Sequence, residues 1–105
     1  MRTVVETAKY LAMADAAGMT EAERELAVML VAANPLVGDL IVGTGGCRKV
    51  RLPGKGKGKS GGYRLITLLV VDGRVFLLMV YAKGRKVTLT HAEKTTLRRR
   101  VEGRT

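Results

Sequence analysis

"YRLITLLVVDGRVFLLMVYA", Tyr63 to Ala82, holds two apolar runs rich in Val, Leu, Ile and Phe around Asp72-Gly73. Such runs read as strands, and Asp-Gly between them is a strong two-residue hairpin signal. With that turn, Val71 pairs with Arg74, Arg64 lies opposite Tyr81, and Gly62 lies opposite Lys83. Side chains alternate along a strand. The spacing therefore places Arg64, Ile66, Leu68 and Val70 on one face with Tyr81, Met79, Leu77, Val75 and Lys83. One end of that face is cationic and carries a phenol. The stretch is too interrupted by Asp72-Gly73-Arg74 to cross a membrane.

The segment just before the hairpin, "LPGKGKGKSGGYR" from Leu52 to Arg64, ends a third alternating run, "CRKVRL" from Cys47 to Leu52. Its Gly58-Lys59-Ser60 invites comparison with a nucleotide phosphate loop. That loop needs a glycine five positions before the Gly-Lys-Ser glycine, and a helix after it. Pro53 stands at the first-glycine position and a strand follows, so no helix N-terminus can hold a phosphate. Residues 53–62 read instead as a basic loop between two strands.

Toward the N-terminus the pattern changes. Arg2 to Glu6 reads as a short first strand. From Thr7 through Ala17 the Ala, Lys, Leu and Met content favours a helix, with Gly18 just past its end. Thr20-Glu21-Ala22-Glu23 is a capping box that opens a second helix, ended by Asn34-Pro35. Ala22, Leu26, Met29, Leu30 and Ala33 form its expected buried stripe. At the other end, Thr90-His91-Ala92-Glu93 opens a last, weakly apolar helix with Leu97 and Val101. The pattern is α+β: two N-terminal helices packing a small antiparallel sheet, then a short C-terminal helix. The 105 residues, 47% hydrophobic, form one domain over residues 1–105.

Charge is distributed unevenly. Residues 1–39 carry six acids and three bases, whereas residues 40–105 carry sixteen bases and three acids, for an overall net charge of +10. A one-sided cationic field of this kind binds polyanions, and it favours nucleic acid over a merely solvated basic surface. The single Cys47 cannot form an internal disulfide, which points to a reducing, cytoplasmic setting. No signal peptide is visible in the first residues.

The usual catalytic sets are missing. One histidine, His91, and one cysteine make no metal cluster or Cys-His pair. His91 reads as a surface residue within a cap and Cys47 as a packed one. What remains is lysine, arginine and tyrosine. These suffice for one reaction, the cleavage of RNA by its own 2′-hydroxyl. There the protein only aligns the groups, moves protons and stabilises charge on phosphorus. Binding without catalysis uses the same residues.

Together, "ANPLVGDLIVGTGGCRKVRL", "GKGKSGGYRLITLLV", "VFLLMVYAKGRK" and "LTHAE" resemble the RelE/HigB-like toxins of bacterial type II toxin–antitoxin systems. The likeness runs from about Glu6 to Leu97. It implies a RelE-like fold, metal-independent cleavage of messenger RNA on the 70S ribosome, no cofactor, and a cognate antitoxin covering the basic face. It implies that Arg64, after Gly-Gly-Tyr, stabilises the phosphate and its transition state. Lys57 and Lys59 fall where the family places lysines that ground RNA or act as base, and Lys83 falls where it carries another cation. Tyr81 joins this set from cross-strand position alone. Lys49, Arg51, Lys55, Lys57, Arg85 and Lys86 complete the expected RNA-binding set. The chain lacks the acid often found in the turn after Tyr81-Ala82-Lys83, which leaves the general acid unassigned. A non-catalytic RNA- or ribosome-binding module and an inactive toxin kept for antitoxin binding are the competing readings. An aromatic content of 4% weighs against a protein that stacks many bases.

Overall fold

The computed structural model describes residues 2–53, 62–82 and 89–104, with side chains through Arg99 in the last helix. The chain runs β1 (Val4–Glu6), α1 (Ala8–Ala16), α2 (Glu21–Ala33), β2 (Asp39–Leu40), β3 (Arg48–Leu52), β4 (Tyr63–Leu69), β5 (Val75–Ala82) and α3 (His91–Arg104). The strands form one sheet in the order β1-β5-β4-β3-β2. This is the expected α+β architecture. The three longest strands are antiparallel, but β1 runs parallel to β5, so the sheet is mixed. The two-residue edge strand β2 was not anticipated, being too short to leave a pattern.

Local chemistry sets the helix ends. The Thr7 hydroxyl accepts from the Tyr10 amide at 3.2 Å and donates to the Leu77 carbonyl at 2.9 Å, fixing the start of α1 to β5. Thr20 and Glu23 form the reciprocal capping box at the head of α2. Thr90 and Glu93 do the same for α3. Gly38 has a φ of +89° and lies so close to the Lys49 carbonyl that a Cβ would collide with it. Only glycine lets β2 approach β3 there.

Two cores flank the sheet. Tyr10 and Ala14 of α1 and Ala27 and Val31 of α2 pack on Val50, Leu52, Leu65, Val75, Leu77 and Val80. On the other face, Leu89 and Leu97 pack with Cys47, Ile66, Leu68, Phe76, Leu78 and Met79. Cys47 is fully buried there, as its reading as a packed residue expected, and burial pushes its thiol pKa up.

The hairpin corrects the expected register. The turn holds three residues, Val71-Asp72-Gly73, with Gly73 at φ +91°. Val70 and Arg74 close it, the Val70 amide donating to the Arg74 carbonyl at 3.0 Å. This is the three-residue hairpin with a left-handed glycine. Near the turn the pairing is one residue out of step with the expected one, with Leu69 opposite Val75. An irregularity beside Ile66/Thr67 then takes up one extra residue on β5, Leu78, so that Ile66 faces Met79 and Arg64 faces Tyr81 as expected. Leu78 and Met79 both join the α3-side core, whereas Val75 and Leu77 turn to the α1/α2 side. The expectation that Val75 and Leu77 share the Arg64 face is therefore wrong.

The second correction concerns α2. Its buried residues are Glu23, Ala27, Val31 and Ala32. Leu30 is half-buried against this core, but Ala22, Leu26, Met29 and Ala33 are exposed, Met29 to 59%. The helix is apolar on most sides, so periodicity did not select a face. Small Ala27 allows the close approach to the sheet, and the Tyr63 hydroxyl donates to buried Glu23 at 2.9 Å, fixing the rotation.

Candidate nucleic-acid interface

Three adjacent strands align Arg51, Arg64 and Tyr81 in one cross-strand row: Arg51 is opposite Arg64, and Arg64 is opposite Tyr81. Lys49 projects from the same face of β3 two residues away, opposite Ile66 on one side and Asp39 on the other. Arg51 is exposed, while Lys49, Arg64 and Tyr81 are half-buried. Directly opposed like charges destabilise a sheet pair. Neither Arg51 nor Arg64 has an ion pair among the described residues, where the pairs are Arg24–Glu6 and Arg74–Asp72. The row is thus a concentration of positive charge that the fold leaves uncompensated. Binding a phosphate would relieve it.

The row lies on the same face as Leu89 and Leu97, and Tyr81 packs against the cluster that contains them. Leu52 and Tyr63, which bracket the glycine-lysine loop, are paired with one another one step from Arg51 and Arg64. The loop therefore leaves and re-enters the sheet beside the row. The expected site residues Lys55, Lys57 and Lys59 in that loop, and Lys83, Arg85 and Lys86 after β5, lie outside the described residues. So does the expected Gly62–Lys83 pairing.

Tyr81 keeps its proton. Burial first, and then the nearby Glu93 carboxylate, raise its pKa. Its hydroxyl lies 3.6 Å from the Met79 sulfur. At neutral pH this group is a phenol, whose hydroxyl can donate a hydrogen bond as well as accept one. Glu93 itself stays ionised, lowered first by the backbone and side-chain bonds of its cap with Thr90.

Not every cation near the row is available to a ligand. Arg48 spends its guanidinium on the Leu36 and Gly38 carbonyls, both at 3.0 Å, and so holds the chain leading into β2. His91 is exposed at the start of α3. Among the described residues no three His, Cys, Asp or Glu side chains cluster as metal ligands do. The buried Glu23–Tyr63 pair went unnoticed in the sequence. Glu23 read only as half of a capping box, and nothing local indicates that its carboxylate also receives a phenol forty residues on. That bond anchors the first residue of β4, so it fixes the strand from which Arg64 projects.

A mixed sheet with two helices on one face, a third on the other and an open basic row defines a small α+β domain with a polyanion-binding face. The family model of the RelE toxin of the RelE/RelB toxin–antitoxin system matches residues 6–102. The chain belongs to the RelE toxin family and is the toxin component of a toxin–antitoxin system, which implies an antitoxin partner. No helix among the described residues is long and apolar enough to cross a membrane.

Proposed function

We propose that this toxin is a metal-independent endoribonuclease that cuts messenger RNA on the translating ribosome, in the cytoplasm. The observation that carries the reading is the row of Arg51, Arg64 and Tyr81, two unpaired cations beside a protonated phenol. In the reaction, the ribose 2′-oxygen attacks the adjacent phosphorus and loses its proton to a base. The bond to the 5′-oxygen breaks, and that oxygen takes up a proton. The products are a 2′,3′-cyclic phosphate and a 5′-hydroxyl. Arg64 stabilises the extra negative charge on the phosphorane, and Arg51 holds a neighbouring phosphate. Tyr81 supports the leaving oxygen as hydrogen-bond or proton donor. Lys59, with Lys83, supplies the base, a role open to lysine where neighbouring cations lower its pKa. Lys49, Lys55, Lys57, Arg85 and Lys86 grip the flanking backbone. The ribosome is required because these few groups cannot by themselves hold a flexible strand in line for attack.

The experiment induces the chain and its Arg64→Ala variant in bacteria, then maps cleavage by primer extension on a translated message and on the same RNA free in solution. The expected result is growth arrest and cleavage only on the translated message. In Arg64→Ala, cleavage should fall by about 100-fold or more with the thermal melt preserved. Equal cleavage of free RNA would make the protein a self-sufficient ribonuclease. Binding without cleavage in either setting would make it a non-catalytic module.

A further inference from the structure

We infer that Tyr63 is a positioning residue for RNA cleavage. Its hydroxyl, bonded to buried Glu23 on the α1/α2 side of the sheet, fixes the backbone from which Arg64 projects on the other side. Resting on the reading of the Arg51–Arg64–Tyr81 row as an RNA site, this role adds the contact that holds the row in place. Leu52, Tyr63 and Ala82 form the last paired row of β3, β4 and β5, with Tyr63 in the middle. Arg51, Arg64 and Tyr81 are the row one step inward. Tyr63 therefore stands where the basic loop rejoins the sheet, opposite both the residue that precedes that loop and the residue that precedes Lys83. The ends of elements open most easily. A cation that must meet a phosphate in one geometry needs an anchor there beyond the strand pairing itself.

Glu23 supplies that anchor. One of its oxygens, Oε1, accepts from the Tyr63 hydroxyl at 2.9 Å and from the Thr20 amide at 2.8 Å. The Glu23 amide donates to the Thr20 hydroxyl at 3.1 Å. The carboxylate is thus fixed to the first turn of α2, and Ala27 and Val31 of that helix pack in the same core as Tyr63. Tyr63 is buried, 4% exposed, among Leu65, Val80 and the other residues of the α1/α2 side. Neighbouring side chains on a strand point to opposite faces. Tyr63 therefore does not touch an RNA lying on Arg64, and the effect of losing its hydroxyl reaches the site through the backbone alone. Misalignment acts on rate, whereas the charges that supply affinity stay in place.

The test measures single-turnover cleavage of a message on programmed ribosomes by the wild type, Tyr63→Phe and Val75→Ala, each at a temperature where its melt shows it folded. Val75 is fully buried in the same core but near the hairpin turn, at the other end of β5 from Ala82, so it controls for lost stability alone. In Tyr63→Phe the maximal rate should fall by about tenfold or more. The half-saturating concentration and the salt slope of RNA binding should stay within about twofold. Val75→Ala should cleave at the wild-type rate. In Tyr63→Phe, amide exchange should quicken more at Arg64 and Leu65 than at Phe76 and Leu77, the mark of a local opening. Thr20→Ala removes the hydroxyl that holds the Glu23 amide. It replaces Tyr63→Phe if that variant does not fold, and should lower the rate in the same direction by less. Cleavage by Tyr63→Phe at the wild-type rate overturns the positioning role and leaves the RNA site standing. An equal fall in Val75→Ala, or a loss carried by the half-saturating concentration alone, also overturns it. Failure of the wild type to cleave a translated message overturns the ribonuclease reading and this role with it.

Discussion

Glu23 and Tyr63 meet at 2.9 Å, between the first turn of α2 and the first residue of β4. The carboxylate is 2% exposed and also accepts from the Thr20 amide at 2.8 Å. A hydrogen bond to a buried charged group contributes about 1.5–3 kcal/mol. Tyr63→Phe keeps the ring and removes the bond, so the unfolding free energy should fall by that amount, read as a lower urea midpoint with the m-value unchanged. An unmoved midpoint would mean that the phenol adds nothing to the carboxylate's other contacts. Tyr10 gives a different prediction. Burial first, and then Glu6, push its pKa up to about 12. An unfolded tyrosine ionises near 10. The unfolded chain therefore releases this proton first as pH rises. The stabilisation is complete below about pH 10 and is lost progressively toward pH 12. Tyr63 and Tyr81 are shifted in the same direction. The Tyr10 hydroxyl has only a 4.0 Å contact to the Met19 sulfur, so Tyr10→Phe should cost little at neutral pH. Denaturation series from about pH 8 to pH 11 should show a shallower alkaline loss in the variant. Parallel curves would remove Tyr10 from the explanation.

Single elements differ in how much of themselves they show in sequence. The caps of α2 and α3 were legible because a capping box is local chemistry, complete within four residues. The strand β3 was legible from the alternation of its residues, and β4 and β5 because apolar runs rich in β-branched and aromatic residues, broken by Asp-Gly, have few other uses. The rotation of α2 was not, since nine of its thirteen residues are Ala, Val, Leu or Met and any face could have been buried. The hairpin register was half legible. Asp72-Gly73 marked the turn, but the third turn residue and the compensating Leu78 depend on cross-strand packing. Arg64 and Tyr81 came out aligned because those two departures cancel. The sequence marks Arg51 as a cation for RNA, but its position opposite Arg64 depends on the β3–β4 pairing. The rotation of α2 is open to direct test. Met29→Gln and Leu26→Gln, on the exposed side, should shift stability by no more than about 0.5 kcal/mol. Ala27→Leu, on the buried side, overpacks the contact with the sheet and should cost about 1–3 kcal/mol. The reverse ranking in thermal melts would restore the stripe first read from the sequence.

The molecule as a whole separates its charges by layer. The acids Glu21 and Glu25 are exposed on α2, which packs on one face of the sheet, while Lys49, Arg51 and Arg64 occupy the other face. The shortest dimension of the molecule is 23 Å, well beyond the screening length of about 8 Å at physiological ionic strength. RNA on the basic face should therefore feel those acids only weakly. This gives a prediction with an internal control. Each cation that neutralises a phosphate of a single strand contributes about 0.7 to the slope of log affinity against log salt. Replacing Lys55, Lys57 and Lys59 together by glutamine should flatten that slope by about 2, and Arg51 with Arg64 by somewhat more than 1. Glu21→Gln with Glu25→Gln should leave it unchanged, although all three variants alter the net charge. If the slope instead tracks net charge, whichever layer is altered, binding is diffuse and the row of arginines is not a site. If only the loop lysines move it, RNA lies along the loop and passes the row by, and the role given to Arg64 fails.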